Sequence, residues 1–390
     1  MGGPAERPAN GDEMRSLVPC IVAAALACLF LTQPVALAQE TKEPAQAGED
    51  VFGVQVGGRV HALWMLRDEE GKPGNEFRMN MVRLRLKYRA SEMVEAAIEA
   101  DMAEAVQGSS GGGNSLLRDA YVRVEPLKLL RFQAGQFKKP FSRIELRSKG
   151  KLETIERGIS NNLLIADLLY GERDVGFMID GRVGEKKKGT SYFLGVFNGA
   201  GKNADEEDLD GGKDIVGRVE VDPSKRLSLG LNGSLKLFDQ DAVEQRPDKA
   251  WMAGADFRIK LGAFRLIGEG LYGENHDPCS NADLPGKCIL DEEFLDPPMT
   301  WSAVLLATYK IPLHRGTPAL TLEPLIKSEV LDPNLDLDSG RIYSVTPGAN
   351  LHVGDFTRIM VNGDFVFPDD DASKQWNETS RLLLQVAFDL

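Results

Sequence analysis

The sequence predicts an all-β protein, a transmembrane antiparallel β-barrel of about sixteen strands. Three observations carry this reading. From Val51 to the end of the chain, apolar residues recur with period two. The connections between alternating segments switch regularly between generous and tight. Past Ala38, no stretch is apolar enough to cross a membrane as a helix.

The alternation is plainest in 54–66, where Val54, Val56, Val60, Ala62, Trp64 and Leu66 oppose Gln55, Arg59 and His61. In 82–89, Val82, Leu84, Leu86 and Tyr88 alternate with four cations. In 227–237 every odd position except Gly233 is Leu, and in 251–261 Trp251, Phe257 and Ile259 face away from Asp256, Arg258 and Lys260. With the weaker segments the strands fall near 53–66, 77–89, 94–104, 116–124, 129–138, 173–182, 190–198 and 214–221. They continue near 227–237, 250–261, 263–273, 300–311, 318–330, 341–353, 356–366 and 380–390. Generous connections (67–76, 105–115, 139–172, 199–213, 238–249, 274–299, 331–340, 367–379) alternate with tight ones such as 90–93, 125–128 and 222–226. In lipid every backbone polar group needs a partner, and a closed sheet is the strand arrangement that leaves no edge. A soluble β-sandwich also alternates, but it does not sort its loops by length.

Composition narrows the function classes. The chain has 390 residues, 42% hydrophobic and 27% charged, which excludes bulk disorder. A net charge of −13 argues against a nucleic-acid partner. His61, His276, His314 and His352 stand singly, so no metal site is expected, and no cofactor is implied. Leu17 to Leu31 is an apolar run preceded by Arg15 and followed by Ala36-Leu37-Ala38. It reads as a secretory signal peptide over 1–38, with the true start at Met14. Residues 39–50 form a flexible lead-in, and 51–390 the barrel. Cys279 and Cys288 then remain in an oxidising compartment, and a short-loop disulfide is expected, worth ~2–3 kcal/mol.

If the apolar positions face lipid, Arg83, Arg85, Lys87 and Arg89 point into the barrel, and so do Glu95, Glu99 and Asp101 of the next strand. A short turn at 90–93 sets Arg89 opposite Glu95, Arg85 opposite Glu99 and Arg83 opposite Asp101. Such a wall either sets up a transverse field across a water-filled pore or stiffens itself by ion pairing. The longest connection, 139–172, is a basic island in an acidic protein. Between Lys138 and Arg157, seven cations, Lys138, Lys139, Arg143, Arg147, Lys149, Lys151 and Arg157, stand against Glu145, Glu153 and Glu156. Its tail, ISNNLLIADLLY, is apolar enough to pack, and a segment folded into the barrel would present those cations to permeating anions. The other long loops, at 204–212, 331–340 and 368–373, are acidic. Glu206-x-Asp208-x-Asp210-Gly211 resembles the start of a calcium loop, but its twelfth position is Gly217. No nucleophile–base constellation is legible, so an enzyme is not expected.

Four segments carry a resemblance to a known family. They are Leu117-Arg118-Asp119-Ala120-Tyr121, the stretch Gly135-Gln136-Phe137-Lys138-Lys139-Pro140-Phe141, then Arg173-Asp174-Val175-Gly176 and Phe197-Asn198-Gly199-Ala200-Gly201. Together they resemble the phosphate-selective porin O and P family of Gram-negative outer membranes. The resemblance implies a sixteen-stranded, homotrimeric channel whose third external loop folds inward, with anion preference and sometimes preference for phosphate. It also implies outer-membrane lipid and lipopolysaccharide as surroundings and the barrel-assembly machinery as a partner. The chain ends Phe388-Asp389-Leu390, where such barrels usually end in an aromatic residue, and its acidic external loops do not steer anions inward. The expected function is a passive diffusion channel for small hydrophilic solutes, anionic or neutral, with anions preferred at the constriction. The alternative is a non-conducting barrel that anchors or adheres through its acidic loops.

Overall fold

The computed structural model describes residues 53–69, 72–103, 116–185, 188–203, 211–238, 248–276, 297–337, 340–369 and 380–389. The expected signal peptide at 1–38, the expected lead-in at 39–50, Cys279, Cys288, the acidic residues 204–210 and 370–373, and Leu390 lie outside the described residues.

The strands are β1 (Gly53–Glu69), β2 (Lys72–Arg89), β3 (Val94–Asp101), β4 (Leu117–Leu127), β5 (Leu130–Lys138), β6 (Arg173–Glu185), β7 (Lys188–Phe197) and β8 (Lys213–Ser224). They continue with β9 (Leu227–Leu237), β10 (Lys249–Leu261), β11 (Phe264–Glu274), β12 (Met299–Tyr309), β13 (Ile311–His314), β14 (Leu320–Asp332), β15 (Ile342–Val353), β16 (Thr357–Pro368) and β17 (Arg381–Asp389). β12 and β13 both pair with β14 and are one stave interrupted at Lys310, so the barrel has sixteen staves. Each pairs antiparallel with its sequence neighbours. The ladder from Arg59↔Asp389 to Arg67↔Arg381 joins β17 to β1 and closes the sheet.

All sixteen expected segments are strands. The first connection departs from expectation: 67–76 is not a loop, because the β1–β2 ladder runs on to Glu69↔Lys72. Asp68, Glu69, Lys72 and Pro73 carry no apolar alternation, which hides a strand extending past the lipid zone. Ladder hydrogen bonds do not need apolar side chains. Asn80 is an extra residue in this hairpin, since Met79 pairs with Ala62 and Met81 with His61.

The two faces differ as a lipid-embedded wall requires. Outward positions stay apolar and exposed, among them Val56, Phe77 and Leu231. The opposite face is polar and mostly buried. It carries apolar patches as well, among them Leu63, Met65, Met360 and Leu383 around Ile155, and Ile267, Leu306 and Leu325. In another, Phe141, Leu163, Leu164, Ile165, Leu168 and Tyr170 of the segment 139–172 are enclosed against Val216, Met252, Leu271, Leu331 and Ile342 of the wall. Each such aliphatic side chain contributes about 1.5–3 kcal/mol on burial, so the tail of this segment is a packed core.

Candidate functional site

The segment 139–172 leaves β5 at Lys139, whose ammonium is completely buried. It binds Asp214 Oδ2 at 2.6 Å, lies 3.8 Å from Asp174 Oδ2, and donates to the Leu169 carbonyl. Lys236 holds the same Asp214 oxygen at 2.9 Å. Asp174 in turn accepts from the backbone N–H groups of Val175 and Gly199, each at 2.7 Å. Two lysines and two aspartates thus tie the start and end of the segment to β8 and β9. The four segments quoted above meet here. Asp119 binds Arg173 at 2.7 Å, and Phe137 lies edge-on to Phe197 with ring centroids 5.4 Å apart. Tyr121 is also edge-on to Phe137, with ring centroids 6.2 Å apart.

Further along, Ser142 caps a single α-turn, Arg143–Leu146, accepting from Glu145 N at 3.1 Å. Its hydroxyl donates to Glu269 Oε1 at 2.7 Å, and Glu269 Oε2 accepts from the backbone N–H groups of Arg143 and Ile144. Arg143 Nε meets Asp256 Oδ1 at 2.5 Å, while Arg218 of β8 takes Asp256 Oδ2 at 2.6 Å. The wall from β14 to β16 grips the backbone of the segment instead. Arg358 donates to the carbonyls of Leu152 and Gly150 at 2.6 and 2.8 Å, and Asn350 to that of Glu153 at 2.8 Å. Lys327 donates to the carbonyl of Arg157 at 2.8 Å. Ile155 N donates to Asn362 and Ser160 N to Glu329. Gly158 sits at φ 117°, a conformation that other residues rarely adopt, and a Cβ there would displace the Glu329 carboxylate.

The seven expected cations are therefore not equivalent. Lys138 binds Glu145 at 2.6 Å, and Arg157 binds the other oxygen of Glu145 at 3.1 Å. Arg147 pairs with Glu153, and Lys149 with Glu156 at 3.2 Å. Lys139 and Arg143 are locked by wall carboxylates as described. Lys151 alone of the seven is exposed and has no carboxylate partner among the described residues. In the β2–β3 hairpin the register is the expected one. Two of its three expected pairs, Arg83–Asp101 and Arg89–Glu95, are in contact, while Arg85 turns to another partner. Arg83 holds Asp101 at 2.6 Å and shares Glu99 with Arg118. Lys87 takes Glu95 at 2.7 Å with Arg89 behind it at 3.9 Å, and Arg85 reaches Tyr121 Oη at 3.4 Å.

Sequence reasoning missed the acids that hold the segment (Asp174, Asp214, Asp256, Glu269, Glu329), as well as a row of inward arginines. Arg123, Arg131, Arg182, Arg258 and Arg265 come from β4, β5, β6, β10 and β11. The available signal was a charged residue on the non-lipid face of an otherwise regular strand, as in Asp256 and Arg258.

Burial pushes the Glu172 carboxyl up, but the cations Arg173, Arg118 and Lys138 outweigh it and hold the group well below the usual carboxylate range. Lys149, Arg381 and Arg78 do the same for half-buried Glu156. A depressed folded pKa contributes stability above the unfolded value of 4.5 that is lost as pH falls through the folded value. The melting-temperature gap between the native chain and Glu172→Gln is expected to be wide at neutral pH and to close below about pH 4. A gap independent of pH in thermal melts would reject this account.

A closed sixteen-stave antiparallel barrel, apolar outside and charged within, defines the outer-membrane porin class. Solved porins and channels share the fold. Salmonella typhi OmpF, solved with daunomycin, is 12% identical with a TM-score of 0.57, covering 86% of this chain and 97% of its own. Pseudomonas putida OprB is 8% identical with a TM-score of 0.57, covering 87% and 94%. The outer-membrane channel DcaP of Acinetobacter baumannii is 12% identical with a TM-score of 0.53, covering 86% and 97%. No curated protein matches the sequence. The family model for phosphate-selective porin O and P matches residues 54–261, more than half of the chain, and the chain belongs to that family. It is a porin channel of a Gram-negative outer membrane, and its family and fold are those of a channel rather than an enzyme.

Proposed function

We propose that the protein is a passive diffusion channel for small hydrophilic solutes that prefers anions, phosphate and similar oxyanions among them. In this reading it assembles as a homotrimer, and 139–172 is its third external loop, folded into the lumen as the constriction. The observation that carries the anion preference is the arginine row on the inward face. Arg131, Arg182 and Arg258 each touch an acid yet keep 27%, 23% and 34% of their side chains exposed. Arg85 is exposed and touches only a phenol oxygen among its described contacts. Charges that line a narrow path shift its selectivity by sign. The inward fold of the loop is supported by its bonds to inward residues of β8, β10, β11 and β14–β16.

In planar bilayers under a potassium chloride gradient, the purified barrel is expected to show discrete conductance steps and a reversal potential on the anion side. Added phosphate should lower the chloride current. A reversal potential on the cation side removes the anion preference. Absence of any conductance steps favours the anchor or adhesin reading.

A further inference from the structure

The lipid face of β8–β12 is not uniform. At the end where the long connections lie, which is the extracellular end of outer-membrane barrels, Lys213 and Lys249 share one row of the sheet, each paired with Leu237 between them. Side chains alternate along a strand. Asp214 and Ala250, next in sequence, are buried on the inner face, so both lysines project outward beside Leu237. Both are exposed. Lys213 donates to the carbonyls of Gly211 and Gly212 at 3.2 and 2.7 Å, and neither lysine has a carboxylate partner among the described residues. Glu274, at the end of β11, is occupied by Trp251 N at 3.1 Å. Trp251 stands edge-on to Tyr272 with ring centroids 5.9 Å apart. Outward Trp and Tyr gather at the membrane–water boundary, which puts the lysines just above them at the level of lipid headgroups.

Below the aromatic residues the wall is hollowed. Gly217, Gly233 and Ala253 share one outward row, and Ala255, Gly270 and Ala303 the next. A Cβ on Gly217, Gly233 or Gly270 would meet nothing closer than 3.8 Å, so crowding of the backbone does not demand glycine at these positions. Their missing side chains leave open space on the lipid face. Ala255, Gly270 and Ala303 floor an apolar groove of about 690 Å³, walled by Leu229, Phe257, Leu305 and Tyr343.

We infer that this face binds a phosphate-bearing lipid of the outer leaflet, lipopolysaccharide in a Gram-negative cell. Its headgroup phosphate meets Lys213 and Lys249, and an acyl chain lies over Gly233 into the groove. The inference does not depend on which solute the channel passes. Lys249 and Ala255 are six residues apart, roughly 20 Å along the strand. At a strand tilt of about 40° that is about 15 Å of depth, one leaflet of a hydrocarbon core about 30 Å thick. Cations at headgroup level above an apolar hollow of that depth match an anionic amphiphile. A free phosphate would leave the groove empty, and the apolar face of a second barrel would leave the lysines unmatched. Lipid tails are as apolar as the wall, so the groove retains a chain by close packing, while the lysines supply the preference for anionic headgroups.

The test titrates the purified full barrel in detergent with bisphosphorylated lipid A, phosphatidylglycerol or phosphatidylethanolamine and counts bound lipid by native mass spectrometry. Lipid A should bind the native barrel most tightly. The double variant Lys213→Gln/Lys249→Gln should weaken it by about fivefold per lysine. Gly233→Leu and Gly270→Leu, where open space receives the new side chain, should fold, as heat-modifiable mobility checks, and weaken lipid A binding with the charges intact. Unchanged affinity in the double lysine variant, or in both leucine variants, overturns the site. Phosphatidylglycerol bound as tightly as lipid A overturns its assignment to lipopolysaccharide. Leucine variants that break an oligomer apart yet keep the lipid would show that the groove seats another copy of the chain, which also overturns it.

Discussion

Asp256→Ala is expected to lower the thermal midpoint of the barrel and to free the α-turn at Arg143–Leu146 from the wall. Both oxygens of this fully buried carboxylate are used, Oδ1 by Arg143 at 2.5 Å and Oδ2 by Arg218 at 2.6 Å. Removing one partner of a buried ion pair costs about 3–5 kcal/mol, because the remaining charge stays desolvated. Glu220 offsets part of this, lying 3.7 Å from Arg143 and 3.3 Å from Arg218. Arg218 is fixed in β8 and cannot leave. Arg143 belongs to a segment that can, so the free energy is released by moving the turn, which also breaks the bonds of Ser142, Arg143 and Ile144 to Glu269. Trypsin should then cut after Arg143 or Arg147 in the variant and not in the native barrel, and single-channel records should become noisier. Asp256→Asn, which keeps the shape and one acceptor, should be milder. Equal melting temperatures and equal resistance to trypsin in Asp256→Ala would show that the turn is held by something else.

Much of the fold was legible because one side of each strand answers to lipid and the other does not. That contrast writes period two into Leu227, Leu229, Leu231 and Leu235 as clearly as into Val82, Leu84 and Leu86. It falls silent where the strand leaves the lipid, which is why the ends of β1 and β2 read as loop. The register of β2 on β3 was legible as well, since a short turn and matched charges determine it locally. The state of the cations in 139–172 was not. Their local acids account for Lys138, Arg147, Lys149 and Arg157, but Lys139 and Arg143 are neutralised by Asp214 and Asp256, which belong to other strands. A basic run in the sequence is therefore an upper bound on basic charge in the lumen. The count that matters is made after distant carboxylates have been assigned, and it singles out Lys151.

Gly135→Ala is expected to cause the larger failure, a loss of folded barrel rather than of loop position. Gly135 lies mid-strand in β5 at φ 123°, a conformation that costs other residues about 1–3 kcal/mol. Space is a second obstacle: a Cβ there would lie 2.2 Å from the Ala120 carbonyl oxygen and 2.8 Å from Tyr121 Cα, both backbone atoms of β4. Neither can yield without opening the β4–β5 ladder, where Tyr121 pairs with Gly135. On the other side Gly135 pairs with Gly176 of β6, whose own Cβ would meet the Val196 carbonyl at 2.4 Å and the Phe197 ring at 2.5 Å. The two glycines make room for the stack of Tyr121, Phe137 and Phe197, which in turn sets the direction in which Lys138 and Lys139 leave the strand. The family-like segments around Gly135 and Gly176 thus place the root of the segment 139–172. Gly233→Ala is the matched control, because its nearest neighbour, the Met252 carbonyl oxygen, is 3.9 Å away. In refolding assays read by heat-modifiable mobility, Gly233→Ala should fold like the native chain, while Gly135→Ala should yield little folded barrel. Comparable yields from the two would mean that β5 can relax around the methyl group, and that the close approach of β4 and β5 is not what sets the direction in which the chain leaves β5.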